Sequence, residues 1–319
     1  MKRFLTILLC LVLLVTTFSG CSGKKTSVSI LTVQNSASAF LSHMLEENNE
    51  EADCKYVPNS INLPNTARSM IAEGGYDVAV LPVETAAIIQ FKSAPKIKVL
   101  AGISVGGFEL LSTKSITDLS ELKGQKVHLT KRNSLMESLL RYLVSLYGVD
   151  PFEEISFAYA NDNTELMNML SENTATFALF DSADADYMKA NIDGIHSCNL
   201  TDVYSKKFNN PSIINYCVIA TEDFVEKNPK AITQLLKDIE SSVRKSSDLK
   251  TTLTLAKKHN ILTRDDLSED FLKSLKAEFI SGEKMKQKLS AYYKVIRKVK
   301  GSLIGNKLPD DDFYYIPKK

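Results

Sequence analysis

Two short segments carry the side chains best suited to holding a small molecule. In Lys131-Arg132-Asn133-Ser134 two cations precede a helix-like run, and the free N–H groups and dipole at a helix start attract anions. That group suits a sulfonate, a carboxylate or a phosphate. Pro82-Val83-Glu84-Thr85 follows an apolar run and places a carboxylate in a similar position, suited to an amine or a pyrimidine-like ring that donates N–H. The two hints disagree about ligand charge. Each also has a plainer reading: lysine and arginine usually turn to solvent, Ser134 is a helix cap, and Pro82 ends a strand. Gln34, Asn35 and Ser36 stand behind an earlier apolar run, and Asp181 with Ser182 behind a later one. Asn35 could equally be a turn residue and Ser36 a cap. Asp181, Asp184 and Asp186 could contact a cation, but one cluster without further ligands reads as helix-start and solvated charge. Neither a metal nor a cofactor is expected.

Catalytic signatures are missing from the sequence. It has no G-x-G-x-x-G after a strand, no G-x-x-x-x-G-K-[ST], no H-E-x-x-H and no G-x-S-x-G. The four histidines (His43, His128, His196, His259) are scattered, and none pairs with a cysteine at ligand spacing. His43 lies on an amphipathic pattern and reads as a surface or edge residue. His128 reads as a packed polar residue within a strand. Cys54, Cys198 and Cys217 match no metal motif. They are read as three free thiols, with a Cys198–Cys217 disulfide as the alternative. No catalytic residue is assigned.

The elements that would position these residues alternate. Val28 to Val33 is β-rich, Ala37 to Leu45 has helical apolar spacing, and Lys55 to Val57 suits a strand. Asn65 to Ala72 is helix-like and stops at Gly74-Gly75. Val78 to Leu81 is a continuous apolar run, as expected of a strand covered on both faces. Glu84 to Phe91 is a helix and Ile97 to Ile103 a strand, before a break at Gly106-Gly107 and a further strand, Phe108 to Ser112. The alternation restarts with Lys126 to Leu129. Ser134-Leu135-Met136-Glu137 is a capping-box pattern opening a helix. Ile155 to Tyr159 and Thr176 to Phe180 are strands around a helix at Thr164 to Leu170. Asn209-Asn210-Pro211 precedes a β-rich stretch from Ile213 to Ala220. From Asn228-Pro229 onward the pattern is helix after helix. Repeated β-α-β units argue for parallel sheets with helices on both faces.

The N-terminus reads as an export signal. Lys2 and Arg3 precede an apolar run from Phe4 to Val15, too short to span a bilayer, and Ser19-Gly20 leads to Cys21. This ending is similar to a bacterial lipobox, with Phe18 where an aliphatic residue is usual. Residues 1–20 are then a signal peptide, Cys21 the lipidated residue, and residues 21–26 a tether holding the protein to the outer face of the cell membrane. Among 319 residues, 39 are basic and 38 acidic, so there is no concentrated basic surface and nucleic acid is not an expected partner.

Three segments in order are familiar: Tyr76-Asp77-Val78-Ala79-Val80-Leu81-Pro82, Ile97-Lys98-Val99-Leu100-Ala101, and Asp118-Leu119-Ser120-Glu121-Leu122-Lys123-Gly124-Gln125-Lys126-Val127. Together with Phe224-x-x-x-Asn228-Pro229, they resemble the ABC-importer binding proteins for sulfonates, nitrate and thiamine-pyrimidine precursors. The resemblance runs from about Val28 to Ser247. It implies the two-lobed type II periplasmic-binding-protein fold: an α/β fold with mixed, mostly parallel sheets flanked by helices, and here a helical C-terminal tail. Lobe one is expected over residues 27–108 plus 211–319 and lobe two over 109–210. The partners it implies are a small-molecule ligand and an ABC permease, with the binding protein a monomer and not an enzyme. The alternatives are a ligand-sensing or adhesive lipoprotein, or an enzyme on the same fold.

Overall fold

The structure is a computed structural model that describes residues 26–33, 36–47, 54–61, 64–92, 95–132, 134–208, 213–261 and 268–317. The signal segment and Cys21 therefore lie outside the described residues. The first block runs β1 (Thr26–Val33), α1 (Ser36–Ala39), α2 (Ser42–Glu46), β2 (Cys54–Ile61), α3 (Pro64–Ala72), β3 (Val78–Pro82), α4 (Val83–Lys92) and β4 (Ile97–Ser104). The second comprises β5 (Phe108–Ser112), β6 (Lys126–Leu129), α5 (Leu135–Ser145), β7 (Ser156–Tyr159), α6 (Asn163–Ser171), β8 (Phe177–Asp181), α7 (Ser182–Asn191), β9 (His196–Asn199) and α8 (Leu200–Phe208). The chain then returns through β10 (Tyr216–Thr221), α9 (Glu222–Lys227), α10 (Pro229–Lys245), α11 (Leu249–Lys258), α12 (Glu269–Ser274), β11 (Glu278–Ser281) and α13 (Gly282–Lys300).

These strands form two sheets. One has the order β11-β4-β10-β3-β1-β2 and the other β7-β6-β8-β5-β9. Four strands of each sheet share a direction, while β10 and β11 in the first and β5 in the second run against them. β5 and β10 are the strands entered directly after the chain changes sheets, so the reversal marks the two crossings. This is a two-lobed mixed α/β fold.

Local chemistry accounts for several elements. Val78 to Leu81 are all buried, as a strand covered on both faces requires. In Asp118-Leu119-Ser120-Glu121-Leu122 the Asp118 carboxylate accepts from Ser120 N at 2.6 Å, while Glu121 Oε1 accepts from Thr117 N at 2.7 Å. This capped 3-10 turn drives Leu119 and Leu122 into the core. Gly124, at φ +73°, turns the chain into β6 through the left-handed region that glycine enters without strain.

Other expectations are corrected. The helical spacing of Ala37 to Leu45 becomes two short helices, broken at Phe40 and Leu41, because both sides of this segment are buried. The run of helices after Asn228-Pro229 also contains a strand: β11 pairs antiparallel with β4 at the sheet edge. His43 is buried, not superficial, with Nε2 2.9 Å from Thr252 Oγ1. Only half of the expected capping box forms, since Ser134 accepts from Glu137 N while Glu137 turns to Arg141. Asp184 is buried, so it is not a solvated charge, and Asn163 donates to it. Cys54, Cys198 and Cys217 are free thiols, with Cys198 on β9 of one sheet and Cys217 on β10 of the other.

The crossings are tied to each other. Asn215 Nδ2 donates to Val105 O at 2.7 Å, and Asn215 Oδ1 accepts from Val105 N at 3.0 Å. Ser104 Oγ donates to Ile213 O at 2.7 Å. Gly106 N–H donates to Leu275 O, and Ser182 N donates to Gly107 O at 2.9 Å. A Cβ on Gly102 would come within 2.6 Å of Ile214 Cγ2, so the buried Ile214 side chain fills the space that a larger residue would need.

Asn215→Ala leaves the Val105 donor and acceptor unmatched, which costs about 1–3 kcal/mol. A lower urea midpoint at unchanged slope is the expected result. Asn215→Asp, which can accept but not donate, is expected to lie on the same side of the wild type.

Candidate functional site

The ends of β3, β6 and β8 deliver the polar loops. Pro82 closes β3 and lies in register opposite Tyr216 of β10. The chain turns straight into α4, whose first residue, Val83, donates its N–H to Asn215 O at 3.1 Å. Tyr293 of α13 donates its hydroxyl to Val83 O at 2.7 Å. The backbone around Glu84 is thus held from two sides. Glu84 sits in the first turn of α4 with Oε2 buried and without a hydrogen-bond partner among the described residues. Tyr292, 2 % exposed, likewise has a buried hydroxyl without a partner.

Electrostatics show what these groups face. Burial pushes the Glu84 carboxyl above the ordinary range, opposed by its own N–H and by the charge of Lys131. Lys131 follows β6 of the second sheet and Glu84 follows β3 of the first. Tyr216 is raised by burial and then by the nearby charges of Glu84 and Asp181. Asp181 ends β8 and caps α7, accepting from Asp184 N at 3.0 Å. Burial and the Glu84 charge also raise Tyr292 and the Cys217 thiol.

Of the residues singled out by sequence, Lys131 acts on Glu84, and Glu84 and Asp181 act on Tyr216, by charge. Pro82 and Thr85 flank Glu84 and are half-buried. Lys131 and Arg132 are exposed, and the Arg132 guanidinium lies 4.5 Å from the Tyr159 ring centroid. Ser134 is the cap of α5, accepting from Glu137 N at 3.2 Å. Gln34, Asn35 and Asn133 lie outside the described residues, and Ser36 opens the short α1. Sequence reasoning passed over Tyr216, Tyr292 and Asn215. The available signal was tyrosine at core positions: Tyr216 within the apolar run from Ile213, and the adjacent Tyr292-Tyr293 on an otherwise apolar helix face. Among the described residues, no group of three or more His, Cys, Asp or Glu could hold a metal ion.

The model of the NMT1/THI5-like family matches residues 48–246. No curated protein sequence matches. Among solved structures, an ABC transporter protein from Parabacteroides distasonis superposes with TM-score 0.72 at 18% identity, over 92% of this chain and 100% of its own. The periplasmic aliphatic sulphonate-binding protein SsuA of Escherichia coli gives TM-score 0.68 at 15% identity, over 91% and 96%. The zinc-bound ligand-binding component of an ABC-type import system from Staphylococcus aureus gives 0.62 at 16%, over 92% and 97%. At these identities the likeness is one of fold.

Glu84→Gln removes a carboxyl whose ionisation burial opposes more than its own N–H and Lys131 favour it, and it is expected to raise stability at neutral pH by about 1 kcal/mol. The folded chain holds a proton on Glu84 that the unfolded chain releases above the ordinary glutamate range. Wild-type stability therefore falls as pH rises from that range through the raised folded value, and the variant lacks this loss. The side-chain charge that bears on this titration is that of Lys131; the charge of Glu84 in turn raises Tyr216, Cys217, Tyr292 and Tyr293, which stay neutral over this range. Melting both proteins across pH should show a gap that is small at low pH and widens upward; a constant gap excludes Glu84 as its source.

Proposed function

We propose, starting from the fact that the chain belongs to the NMT1/THI5-like family, that it is the extracytoplasmic substrate-binding lipoprotein of an ABC importer. It takes up a small solute between its two lobes and presents it to a membrane permease. The observation that supports this reading is that Glu84 follows β3 of one sheet while Lys131 follows β6 and Asp181 ends β8 of the other, so that all three stand in the space at strand ends. In α/β sheets such space lies beyond the carboxyl ends of the strands, where ligands bind.

The two crossings let one lobe rotate against the other, and hinge closure around a ligand is the motion this arrangement serves. A ligand drives closure only by binding the closed form better than the open one. Contacts supplied from both lobes meet that requirement. Nothing in this cycle makes or breaks a covalent bond in the solute. Residues 1–20 act as the export signal and Cys21 carries the lipid, with the short segment behind it as tether. Among the described residues, no helix is long and apolar enough to cross a membrane, so the proposed attachment rests on the acyl group.

The processed protein, purified in mild detergent, should melt several degrees higher with one solute class from a panel of sulfonates, nitrate, carboxylates, amines and pyrimidines. A ligand at 100 times its dissociation constant adds about 2.7 kcal/mol. The chain lacks tryptophan, so the melt is followed by circular dichroism or calorimetry. Return of chemically altered solute overturns the binding-only reading. Separately, Cys21→Ser should abolish incorporation of labelled palmitate and release the protein from the membrane; an unchanged membrane fraction sinks the lipid anchor.

A further inference from the structure

We infer that α7 and α12 form a charged jaw beside the solute space: Lys273 and Lys276 of the first lobe close onto Asp162 and Asp186 of the second and draw the lobes together before a solute is bound. This goes beyond the capture reading and holds whatever the solute.

The argument begins with a cavity of about 1560 Å³ whose walls come from different lobes. Asp162, which caps α6, and Asp184 and Asp186 of α7 line it from the second lobe. Asp270 and Lys273 of α12, and Lys276 just behind that helix, line it from the first. Among the described lining residues, one wall therefore carries three carboxylates and no cation, and the other two lysines and one carboxylate. Asp184 is buried and holds the Asn163 amide. Asp162 and Asp186 are exposed. Each commits one oxygen within its own lobe, Asp162 to Glu165 N at 2.8 Å and Asp186 to Lys189 at 2.6 Å. Lys189 is shared with the buried Glu109 at 2.9 Å, so one ammonium serves two carboxylates and that wall stays negative. Lys273 and Lys276 are exposed and have no ion pair among the described residues. Opposite charges thus face each other across one gap.

The second observation is where the walls are rooted. Gly106 N–H donates to Leu275 O, behind α12, while the neighbouring Gly107 O accepts at 2.9 Å from the N–H of Ser182, the first residue of α7. Rotation about this glycine pair therefore moves one wall against the other. Gly106 sits at φ +62°, where glycine rests without strain. Lys276, next after Leu275, lines the cavity from φ +43°, so this lysine is held on the wall at a cost in backbone energy. Attraction between exposed charges is modest, and it is screened beyond about 8 Å at physiological salt. The jaw therefore shifts the lobes several-fold towards closure and leaves them free to open.

Two spin labels read the gap. Asp193→Cys and Glu269→Cys, both at exposed positions beyond the wall charges, are labelled in the processed protein carrying Cys198→Ser; Cys54 and Cys217 are buried. Their separation is measured by double electron–electron resonance at low and at high salt, without added solute. The expected result is a short-distance population at low salt that falls several-fold at high salt. It should fall equally in Lys273→Glu/Lys276→Glu, where glutamate meets the same backbone requirement as lysine. Adding Asp186→Lys and Asn168→Lys, which reverses the facing wall and keeps the Asp162 cap, should bring it back. Melting each variant shows that it folds. A separation indifferent to salt and to wall charge overturns the inference, and so does a short population that survives reversal of the lysines. Loss on reversal without recovery when the facing wall is also reversed overturns it too, because the lysines then act on other partners.

Discussion

Asn215 governs three things at once. Its side-chain amide matches both backbone groups of Val105 at 2.7 and 3.0 Å, which ties the two interlobe crossings together. Its carbonyl accepts the Val83 N–H at 3.1 Å, at the start of the helix that carries Glu84. Its position also sets Tyr216 next in the chain, opposite Pro82. Backbone polar groups at a part-buried crossing must be paired, and here one asparagine does so while locating the carboxylate and the phenol of the site. The two crossings and the helix that carries Glu84 therefore share their anchor.

The C-terminal helix α13 supplies the second constraint. Tyr293 fixes the Val83 carbonyl at 2.7 Å, and Tyr292 meets Tyr204 of α8 edge-on, with ring centroids 6.0 Å apart. Lys298 lies over the Tyr142 ring of α5 at 5.7 Å. A helix that follows the first sheet in sequence thus packs against helices of the second lobe, and one apolar cluster runs from Leu81 and Val83 through Ile214, Tyr292 and Tyr204 to Leu139 and Leu179. The lobes are joined by core, which limits how far they can part. Close-packed cores favour discrete arrangements over continuous bending.

Charge then shapes what the site can accept. Surface cations near a cleft are screened and mobile, whereas a carboxylate in a low-dielectric environment is felt strongly by its neighbours. In the sequence the basic pair is the more conspicuous feature, but the folded chain leaves Lys131 and Arg132 exposed and buries Oε2 of Glu84. Relatives in fold that take sulfonates share the scaffold, and scaffold does not dictate ligand.

The fold class and most elements were legible from local pattern. The apolar run Val78 to Leu81 could only be a covered strand, Asp118 to Gly124 carries its own capping and turn chemistry, and breaks at Gly106-Gly107 and Asn209-Asn210-Pro211 stand beside the two crossings. Periodicity and turn residues act over a few positions, so a single sequence displays them. Features that depend on distant segments were not legible. The strand β11 exists because β4 had an open edge to pair with, and His43 is buried because Thr252 packs over it. Glu84 announced itself by type and place, yet only the folded chain decided that its outer oxygen lacks a partner while Arg132 finds one. Burial and the sign of the surrounding field are sums over residues far apart in sequence, and they take values only once the two lobes have met.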